Sequence, residues 1–404
     1  MSYNFDEIIS RRHTNSVNYE GWRPYIFRND PNISFPIPDD KFIRLWIADM
    51  DFATPAVITN AIRERLDKKI LGYTSQFDPD YLEVLKNWFQ RRYNWTINTD
   101  HLVFAPGVVP ALIRLVTLLT SPDENMLITT PSYTPFKMAG DLNNRKVFYS
   151  PLQNNAGYYS MNLADIEAQL ADPTKNIRLF VLCNPHNPTG RVWTKEELMA
   201  IGQLCLSKNV WIISDEIHCD LLRKEQTHTP LATLFPSYEK VVTCTAPTKT
   251  FNLAGILHSH IFIPHQQIRE SWQKRYWEMQ NPLSIAATKA AYENGDHWLE
   301  ALKLYLDDNL GLLQQMLQED LPKAVYQVPE ATYLAWVDVS AYSTDIEAVE
   351  RLSTYFARKA GVLVEGGDMF VDNGKGHIRI NVACPRAVLQ EGVTRLIAAI
   401  GNEC

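Results

Sequence analysis

The sequence lacks several features that would assign a protein to a special class. No cysteine pair has the spacing Cys-x-x-Cys, and no segment repeats with a fixed period. No apolar run approaches the roughly 18 residues that cross a membrane. These absences argue against a protein held together by disulfides, a repeat protein and a membrane-spanning protein. We therefore expect no metal site and no membrane partner.

An excess of basic residues is also missing. Lys and Arg number 39 and Asp and Glu number 46, which gives a formal net charge of −7. A nucleic-acid-binding protein normally carries a concentrated basic patch, so we expect no nucleic-acid partner. Hydrophobic residues make up 46% of the 404 residues and charged residues 21%, which is typical of a globular chain with a large core.

The cysteines and the first residues bear on the location of the protein. Without a Cys-x-x-Cys pair, we interpret the six cysteines as reduced thiols. The starting segment MSYNFDEII is acidic and lacks an apolar signal core, which argues against export. Both features favour a cytoplasmic protein. The cysteines are Cys183, Cys205, Cys219, Cys244, Cys384 and Cys404.

Short apolar runs alternate with helical patterns in the first two thirds of the chain. Strands covered by helices on both faces have this apolar character, so the alternation predicts an α/β domain with a mostly parallel sheet. One intervening helix shows the capping pattern Thr194-x-x-Glu197 at its start. The predicted strands are ENMLITT (124–130), KVFYS (146–150), IRLFVLC (177–183), VWIIS (210–214) and KVVTC (240–244).

The last third has a different pattern. Residues 344–360 carry apolar side chains at helical spacing with Gly361 as a stop, and the strand HIRINVA and a final helix from about 385 to 400 follow. We predict a smaller α+β domain over 291–404, a large domain over 49–290, and an N-terminal arm with part of the small domain over 1–48. The arm could pack on the small domain or on a partner subunit.

Polar groups follow three of the predicted strands. NPHNPTG (184–190) follows the strand at 177–183, Asp215 follows VWIIS, and Lys249 lies shortly after KVVTC. Ligands of parallel α/β sheets bind at the carboxyl ends of the strands. Gly107 precedes an apolar helix whose first N–H groups could hold a phosphate. An amide, a carboxylate, an amine and a phosphate-binding turn are what pyridoxal phosphate (PLP) requires.

Each of these groups alone has an ordinary structural interpretation. A carboxylate after a strand is often a helix cap, and a single lysine is usually a solvated surface group. The string NPHNPTG also favours a turn by composition. Their order after successive strands is what favours the cofactor site.

The motifs NPHNPTG, SDEIH (214–218) and the lysine of APTKTFNLAG (246–255) resemble those of the class I/II aminotransferase superfamily. The strings LWIADMDF (45–52), APGVVPAL (105–112), PEATYLAW (329–336) and HIRINVACPR (377–386) are similar to the cystathionine β-lyase or C–S lyase branch, the maltose-regulon modulator type. This resemblance covers residues 12 to 400. It implies the fold-type I PLP-dependent transferase fold, like that of aspartate aminotransferase.

The resemblance also implies residue roles at the cofactor ring. Lys249 is similar to the lysine that joins the cofactor and shuttles a proton, and Asp215 to the partner of the pyridine nitrogen. Tyr133 resembles the ring that stacks on the cofactor. Asn187 resembles the donor to the phenolic oxygen, and it also borders the substrate.

Further positions resemble ligands of the cofactor phosphate. Gly107, Val108 and Val109 correspond to the turn whose backbone N–H groups bind it, and Thr248 adds a hydroxyl. Tyr73 resembles the tyrosine that reaches the phosphate of a neighbouring subunit. The resemblance therefore implies a homodimer.

Arg379 resembles the arginine that binds the α-carboxylate of the substrate. Two positions depart from the aminotransferase pattern. Leu257 stands where many aminotransferases carry a phosphate-binding arginine, which fits the lyase branch better. His218 stands where many carry a tyrosine; it could meet the phenolic oxygen of the cofactor, or it could be a packing histidine.

The expected reaction is α,β-elimination on L-cystathionine or an L-cysteine-type substrate, giving a thiol, pyruvate and ammonia. The first alternative is an aminotransferase for an L-amino acid, because both reactions use Lys249, Asp215 and Arg379. The second is a regulatory binding protein on the same fold, since the maltose-regulon modulator also restrains a transcription activator.

Overall fold

The computed structural model describes residues 3–30, 32–75, 77–276 and 279–401. Its strands form one large sheet, one three-stranded sheet and two small two-stranded sheets. The strands are β1 (Ile43–Arg44), β2 (Leu102–Ala105), β3 (Asn125–Thr130), β4 (Val147–Pro151), β5 (Gln153–Asn155), β6 (Tyr158–Ser160), β7 (Ile177–Cys183), β8 (Trp211–Asp215), β9 (Val241–Thr245), β10 (Ser259–Phe262), β11 (Leu334–Asp338), β12 (Val362–Leu363), β13 (Glu365–Gly366) and β14 (His377–Asn381).

Helices connect most of these strands. The α-helices are α1 (Val17–Glu20), α2 (Trp22–Phe27), α3 (Ala56–Asp67), α4 (Pro79–Tyr93), α5 (Val108–Leu119), α6 (Thr134–Leu142), α7 (Leu163–Ala171), α8 (Lys195–Ser207), α9 (Leu231–Leu234), α10 (Pro247–Thr250), α11 (Gln266–Arg275), α12 (Pro282–Asn294), α13 (Asp296–Asp320), α14 (Ser340–Glu347), α15 (Leu352–Ala360) and α16 (Arg386–Gly401). Short 3₁₀ turns occur at Asp39–Lys41, Thr99–His101, Ala254–Ile256 and Gly367–Met369.

The large sheet has seven strands in the order β2-β10-β9-β8-β7-β3-β4. The pairs among β9, β8, β7, β3 and β4 are parallel, whereas β10 runs antiparallel to both of its neighbours. All five strands predicted from apolar runs are present, so the predicted α/β class with a mostly parallel sheet is confirmed. The carboxyl ends of β7, β8 and β9 therefore lie side by side.

Alternate residues of the central strands enter two different cores. In β7, Leu179 and Val181 pack with α5 on one face of the sheet. Phe180 and Leu182 pack on the other face with α8. Because both faces are covered, these strands are apolar throughout. The predicted capping box of Thr194 and Glu197 starts α8.

The last third contains the antiparallel sheet β11-β14-β13. The single helix expected over 344–360 is wrong in its continuity, because α14 ends at Glu347 and α15 begins at Leu352. Val349 between them is 86% exposed, although its spacing suggested a buried position. Gly361 ends α15 with a φ of 65°, a left-handed conformation that glycine adopts at little cost.

The N-terminal arm packs on elements of the last third. Trp22, Ile26 and Phe27 from α2 form one cluster with Ala357 of α15 and Leu363 of β12. In addition, β1 pairs in parallel with β12. Of the two expected positions of the arm, the structure shows the one within the same chain.

The predicted domain limits at 48/49 and 290/291 stay predictions. Within the described part of the chain, no helix is both long enough and apolar enough to cross a membrane. The five described cysteines are free and buried, and Cys404 lies outside the described residues.

Candidate active site

A cavity of about 290 Å³ lies at the carboxyl ends of β7, β8 and β9. Neighbouring parallel strands end at the same edge of the sheet, which brings the segments after them together. The cavity collects most of the site residues predicted from the sequence. Those that line it are Gly107, Val108, Val109, Tyr133, Asn187, Asp215, His218, Thr248 and Lys249.

The start of α5 forms one end of the cavity. Gly107 precedes the 12-residue helix, and Val108 and Val109 are its first two residues. The first N–H groups of a helix have no partner within the helix and carry partial positive charge, so they suit an anion. Thr248 also lines the cavity, and its hydroxyl is a further donor. This end therefore has the donors that a phosphate site requires, and its role as the phosphate site stays a prediction.

Lys249 lies in the short helix α10, directly after β9. Its Nζ donates a hydrogen bond of 2.6 Å to the carbonyl oxygen of Ala48. Burial lowers the pKa of this amine to about 8, which Asp49 partly opposes. A substantial neutral fraction at neutral to mildly alkaline pH makes this lysine a candidate nucleophile and base.

Asp215 is the last residue of β8 and is 5% exposed. The backbone N–H of Ile217 donates to its Oδ1 at 3.2 Å. No ion pair to this carboxylate is found among the described residues. Burial, with the nearby Glu216, raises the pKa of Asp215 to about 7. A ligand with a protonated nitrogen would supply the counter-charge that this carboxyl group lacks.

Asn187 and Arg379 are joined although 192 residues separate them. The guanidinium Nη1 donates to the Oδ1 of Asn187 at 3.0 Å, and Nη2 donates to the carbonyl oxygen of Trp46 at 3.2 Å. This bond to Nη1 occupies the Oδ1 of Asn187 and not its Nδ2, and Asn187 lines the cavity. Arg379 does not line the cavity itself, and it also forms an ion pair with Glu365.

Tyr133 and His218 complete the lining. The ring of Tyr133 packs edge-on against Phe136, with centroids 5.8 Å apart. His218 is buried, and its Nδ1 has no hydrogen-bond partner among the described residues. Burial, with the charges of Lys249 and Arg379, lowers the pKa of His218 to about 3. The imidazole is therefore neutral, and it lines the cavity. Its two expected roles, a contact with the cofactor and packing, stay predictions.

Tyr73 does not line the cavity. Its side chain is 94% exposed on the segment between α3 and α4. The predicted contact of Tyr73 is with the site of a neighbouring subunit, so this role stays a prediction.

The departure at Leu257 and the histidine that follows it, His258, have a clear geometry. Leu257 lines the rim of the cavity and is 63% exposed. His258 is buried, and its Nε2 lies 2.7 Å from the hydroxyl of Tyr81. His258 does not line the cavity, so it does not take the place of the phosphate-binding arginine that many aminotransferases carry at the position of Leu257.

Sequence reasoning missed four contributors to the site, of which the first three are Ala48, Arg11 and Asp220. The carbonyl of Ala48 positions Lys249. Arg11 forms ion pairs with Asp49 and Asp51, which follow Ala48 in the chain. Asp49 had no expected role. Asp220 accepts a hydrogen bond of 2.7 Å from Thr250 and so anchors the turn that carries Lys249.

Glu365 was missed as well. It is a buried carboxylate in contact with Arg379. A signal was present in the sequence, because Glu365 is a lone charge directly after the apolar run VLV (362–364). Burial raises its pKa, and the positive charges of Arg379 and Lys249 oppose this.

A half-buried lysine, a buried carboxylate and a helix start at one edge of a parallel sheet define an enzyme site for an anionic aldehyde cofactor. Residues 40–396 match the family model of aminotransferase class I and II. The chain belongs to that family.

Individual relatives agree with this assignment. The chain is 38% identical to cystathionine β-lyase PatB of Bacillus subtilis, over 98% of this chain and 100% of PatB. It is 32% identical to protein MalY of Escherichia coli, over 88% of this chain and 90% of MalY. The structure superposes on the PLP-bound C–S lyase of Staphylococcus hominis with a TM-score of 0.94 at 47% identity, covering 99% and 98% of the two chains. The predicted fold-type I architecture and the predicted branch are confirmed.

Proposed function

We propose that the chain is a PLP-dependent carbon–sulfur lyase. It would act on L-cystathionine or L-cysteine-type substrates by α,β-elimination and release a thiol, pyruvate and ammonia. The names of two relatives support this reaction, since PatB is a cystathionine β-lyase and the Staphylococcus hominis structure is a C–S lyase. The structural observation that supports PLP chemistry is that half-buried Lys249 and buried Asp215, whose pKa values are shifted to about 8 and about 7, line the same cavity.

The residues of the cavity fit PLP. The start of α5 and Thr248 would hold the phosphate, and the aldehyde would meet the amine of Lys249. Asp215 needs a counter-charge, and a protonated pyridine nitrogen has that charge. Asn187 can donate to the phenolic oxygen, and Tyr133 offers an aromatic face to the ring. His218 would be a second donor or acceptor near the phenolic oxygen.

We assign the substrate steps to three residues of this chain. Arg379 would bind the α-carboxylate, because a planar guanidinium matches a carboxylate with two parallel hydrogen bonds. Lys249 would remove the Cα proton at its Nζ, and its lowered pKa keeps a neutral fraction available. PLP supplies an electron-accepting ring, and Asp215 keeps that ring cationic.

The overall reaction balances with one water molecule. The Cα–H and Cβ–S bonds of L-cystathionine break, the sulfur leaves as homocysteine, and hydrolysis converts the remaining three-carbon unit to pyruvate and ammonia. Lys249 holds the Cα proton after its removal. Loss of the thiolate from Cβ commits the substrate to elimination.

The aminotransferase alternative is tested by product analysis. The holoenzyme is incubated with L-cystathionine, L-cysteine or L-methionine, with added PLP and no keto-acid acceptor. The lyase proposal expects pyruvate and a thiol in equal amounts from cystathionine over many turnovers. Strict dependence of turnover on 2-oxoglutarate would replace the lyase by an aminotransferase.

We also propose a homodimer in which Tyr73 reaches the site of the partner. Tyr73 lies in an exposed apolar patch formed by Ile70, Leu71, Tyr73 and Phe77. Thr74 pairs with Gln280, which places Met279 beside this patch. Such a large exposed apolar surface is typical of an interface.

Mixed dimers test this arrangement. If Tyr73 contributes to the site of the partner subunit, the homodimer of Tyr73→Ala chains and the homodimer of Lys249→Ala chains should each be inactive or weakened. Co-expression would then give hybrid dimers with one intact site, and activity would return to a fraction of the wild-type value. Additive activities without recovery would show that Tyr73 does not act across subunits.

A cytoplasmic location stays a prediction.

A further inference from the structure

Glu365 and Arg379 face each other on neighbouring strands. Strands β13 and β14 are antiparallel, and their register places Glu365 directly opposite Arg379. Glu365 is 5% exposed and Arg379 is 2% exposed. The Nη2 of the guanidinium is in ion-pair contact with the Oε2 of the carboxylate. The strand register therefore fixes a buried anion on the residue that we assign to the substrate carboxylate.

The other contacts of Arg379 are neutral. Nη1 donates to Asn187 and Nη2 to the carbonyl oxygen of Trp46, while Nε is buried without a partner among the described residues. Phe370 covers one face of the guanidinium at 5.1 Å. Glu365 thus balances the charge of Arg379 before any substrate is bound. A substrate α-carboxylate would be a second anion on the same buried cation.

We propose that Glu365 is a positioning residue that exchanges charge with the substrate: its carboxylate balances Arg379 in the substrate-free enzyme and takes up a proton when the α-carboxylate binds. This rests on the proposed function only in assigning Arg379 to that carboxylate. The proton comes from solvent, and no bond to carbon changes in this step.

The groups around Glu365 favour such an exchange. Arg379 from β14 and Lys249 from α10 are the cations near it, and Tyr25 from α2 and Tyr133 before α6 are the other titratable groups in its field. Burial already raises the pKa of Glu365. A second carboxylate within a few ångströms raises the pKa of a carboxyl group further, because like charges disfavour ionisation. Protonation also removes the repulsion between the two carboxylates.

The test measures binding of L-alanine, which has the α-carboxylate but no leaving group at Cβ. Dissociation constants of wild-type and Glu365→Gln holoenzymes are measured from about pH 6 to about pH 9 through the change in cofactor absorbance. Gln has the shape and charge of a protonated Glu. The affinities of the two enzymes for L-alanine should therefore converge as the pH is lowered. As the pH rises, the variant should bind L-alanine more tightly than the wild type does. The ratio of the two dissociation constants should change by up to about tenfold per pH unit for one linked proton.

Two comparisons isolate the carboxylate. L-Alaninamide carries no α-carboxylate, so its affinity ratio between the two enzymes should not change with pH. Glu350→Gln removes another arginine partner, that of Arg358, outside the cavity, and it should leave the pH profile for L-alanine unchanged. A pH-independent ratio for L-alanine, or weaker binding by Glu365→Gln at every pH, would overturn the proposal. Glu365 would then only hold Arg379 in place.

A second measurement uses the wild type alone, in case Glu365→Gln does not fold. Calorimetry in two buffers with different ionisation enthalpies gives the protons taken up on binding. After correction for each ligand's amine, L-alanine should take up more protons than L-alaninamide, and equal uptake contradicts the proposal. Both measurements remain possible if the enzyme makes no pyruvate, so failure here differs from failure of the lyase assignment.

Discussion

The cofactor side of the site, formed by Asp215 and Lys249 in the cavity lining, differs in charge compensation from the substrate side, formed by Arg379 next to the cavity. On the cofactor side, buried Asp215 and half-buried Lys249 have no ion-pair partner among the described residues, and their pKa values move to about 7 and about 8. On the substrate side, Arg379 is paired with Glu365. Arg11 is likewise paired with Asp49 and Asp51, next to Ala48 in the chain.

This difference indicates two kinds of binding. The cofactor side lacks counter-charges that PLP would bring. Binding of PLP should therefore relieve the unfavourable free energy of an unpaired charge in the cavity. The substrate side is already neutralised, so a charged substrate must share or exchange a partner. A buried ion pair is also costly to break by removing one member, because the remaining charge is left without compensation. Mutations on the two sides should therefore have different signatures.

Lys249→Ala should have the largest effect of any single change on the cofactor side. It removes the amine that we assign to both cofactor attachment and Cα proton transfer, so turnover should fall by about 10²- to 10⁴-fold. The steady-state rate of pyruvate release from L-cystathionine measures this. Lys224→Ala, a change at an exposed lysine, is the matched control and should leave the rate unchanged. A Lys249→Ala enzyme within tenfold of wild type would remove Lys249 from the mechanism.

Arg379→Ala should break the substrate side in two ways. Loss of the charge-assisted contact should raise KM by about ten- to hundredfold, or roughly 1.5–3 kcal/mol. The uncompensated Glu365 should also lower the free energy of unfolding by about 3–5 kcal/mol. Urea denaturation of Arg379→Ala and of Arg379→Ala/Glu365→Gln separates the two effects, since the second change should recover most of the stability but not the KM. Equal stability of the two variants would show that Glu365 is solvated rather than paired.

Asp215→Asn should stabilise the apoprotein at alkaline pH and should weaken the binding of PLP. Because the folded-state pKa of Asp215 is raised from 3.8 to about 7, its contribution to stability is complete below about pH 4 and is lost as the pH rises through 7. In the apoprotein, the neutral Asn should therefore be more stabilising than Asp above pH 7, by at most about 4 kcal/mol. The difference should disappear near pH 4.

The same variant should bind PLP more weakly, because the pyridine nitrogen loses its anionic partner. Thermal unfolding of the apoprotein across pH, together with a PLP titration, measures both effects. An apoprotein that is less stable than wild type at pH 8 would mean that Asp215 already has a counter-charge.

Arg11→Ala should have the smallest effect. Arg11 and its two carboxylate partners are partly exposed, so the loss of stability should be about 1 kcal/mol. Arg12, which lies near Asp40 at the surface, is the matched control and should contribute less. Denaturant midpoints of the two variants compare them. A larger loss for Arg12→Ala would mean that the Arg11 pairs do not order residues 48–52.

The same division explains how much of the site could be predicted from sequence. Asp215 and Lys249 follow directly after strands, so a local apolar run and the rule for parallel sheets were enough to place them together. The contact of Lys249 with Ala48 spans 201 residues, and that of Arg379 with Trp46 spans 333. No local pattern encodes such contacts, because they depend on how the end of the arm folds against distant parts of the chain.

The fold shows the same limit. The apolar strands of the large sheet could be predicted because both of their faces are buried. The break between α14 and α15 could not, since Val349 has helical spacing with its neighbours and yet lies exposed between the helices. Spacing alone does not show whether a periodic segment is continuous.

The central claim is that the amine at position 249 holds the cofactor aldehyde. Borohydride reduction of the holoenzyme fixes such a link, and proteolysis with mass spectrometry then locates it. The account predicts a phosphopyridoxyl group on the peptide that contains Lys249 and on no other lysine in the same stoichiometric amount. A stoichiometric label on a different lysine, or a fully loaded enzyme without any reducible link, would contradict it.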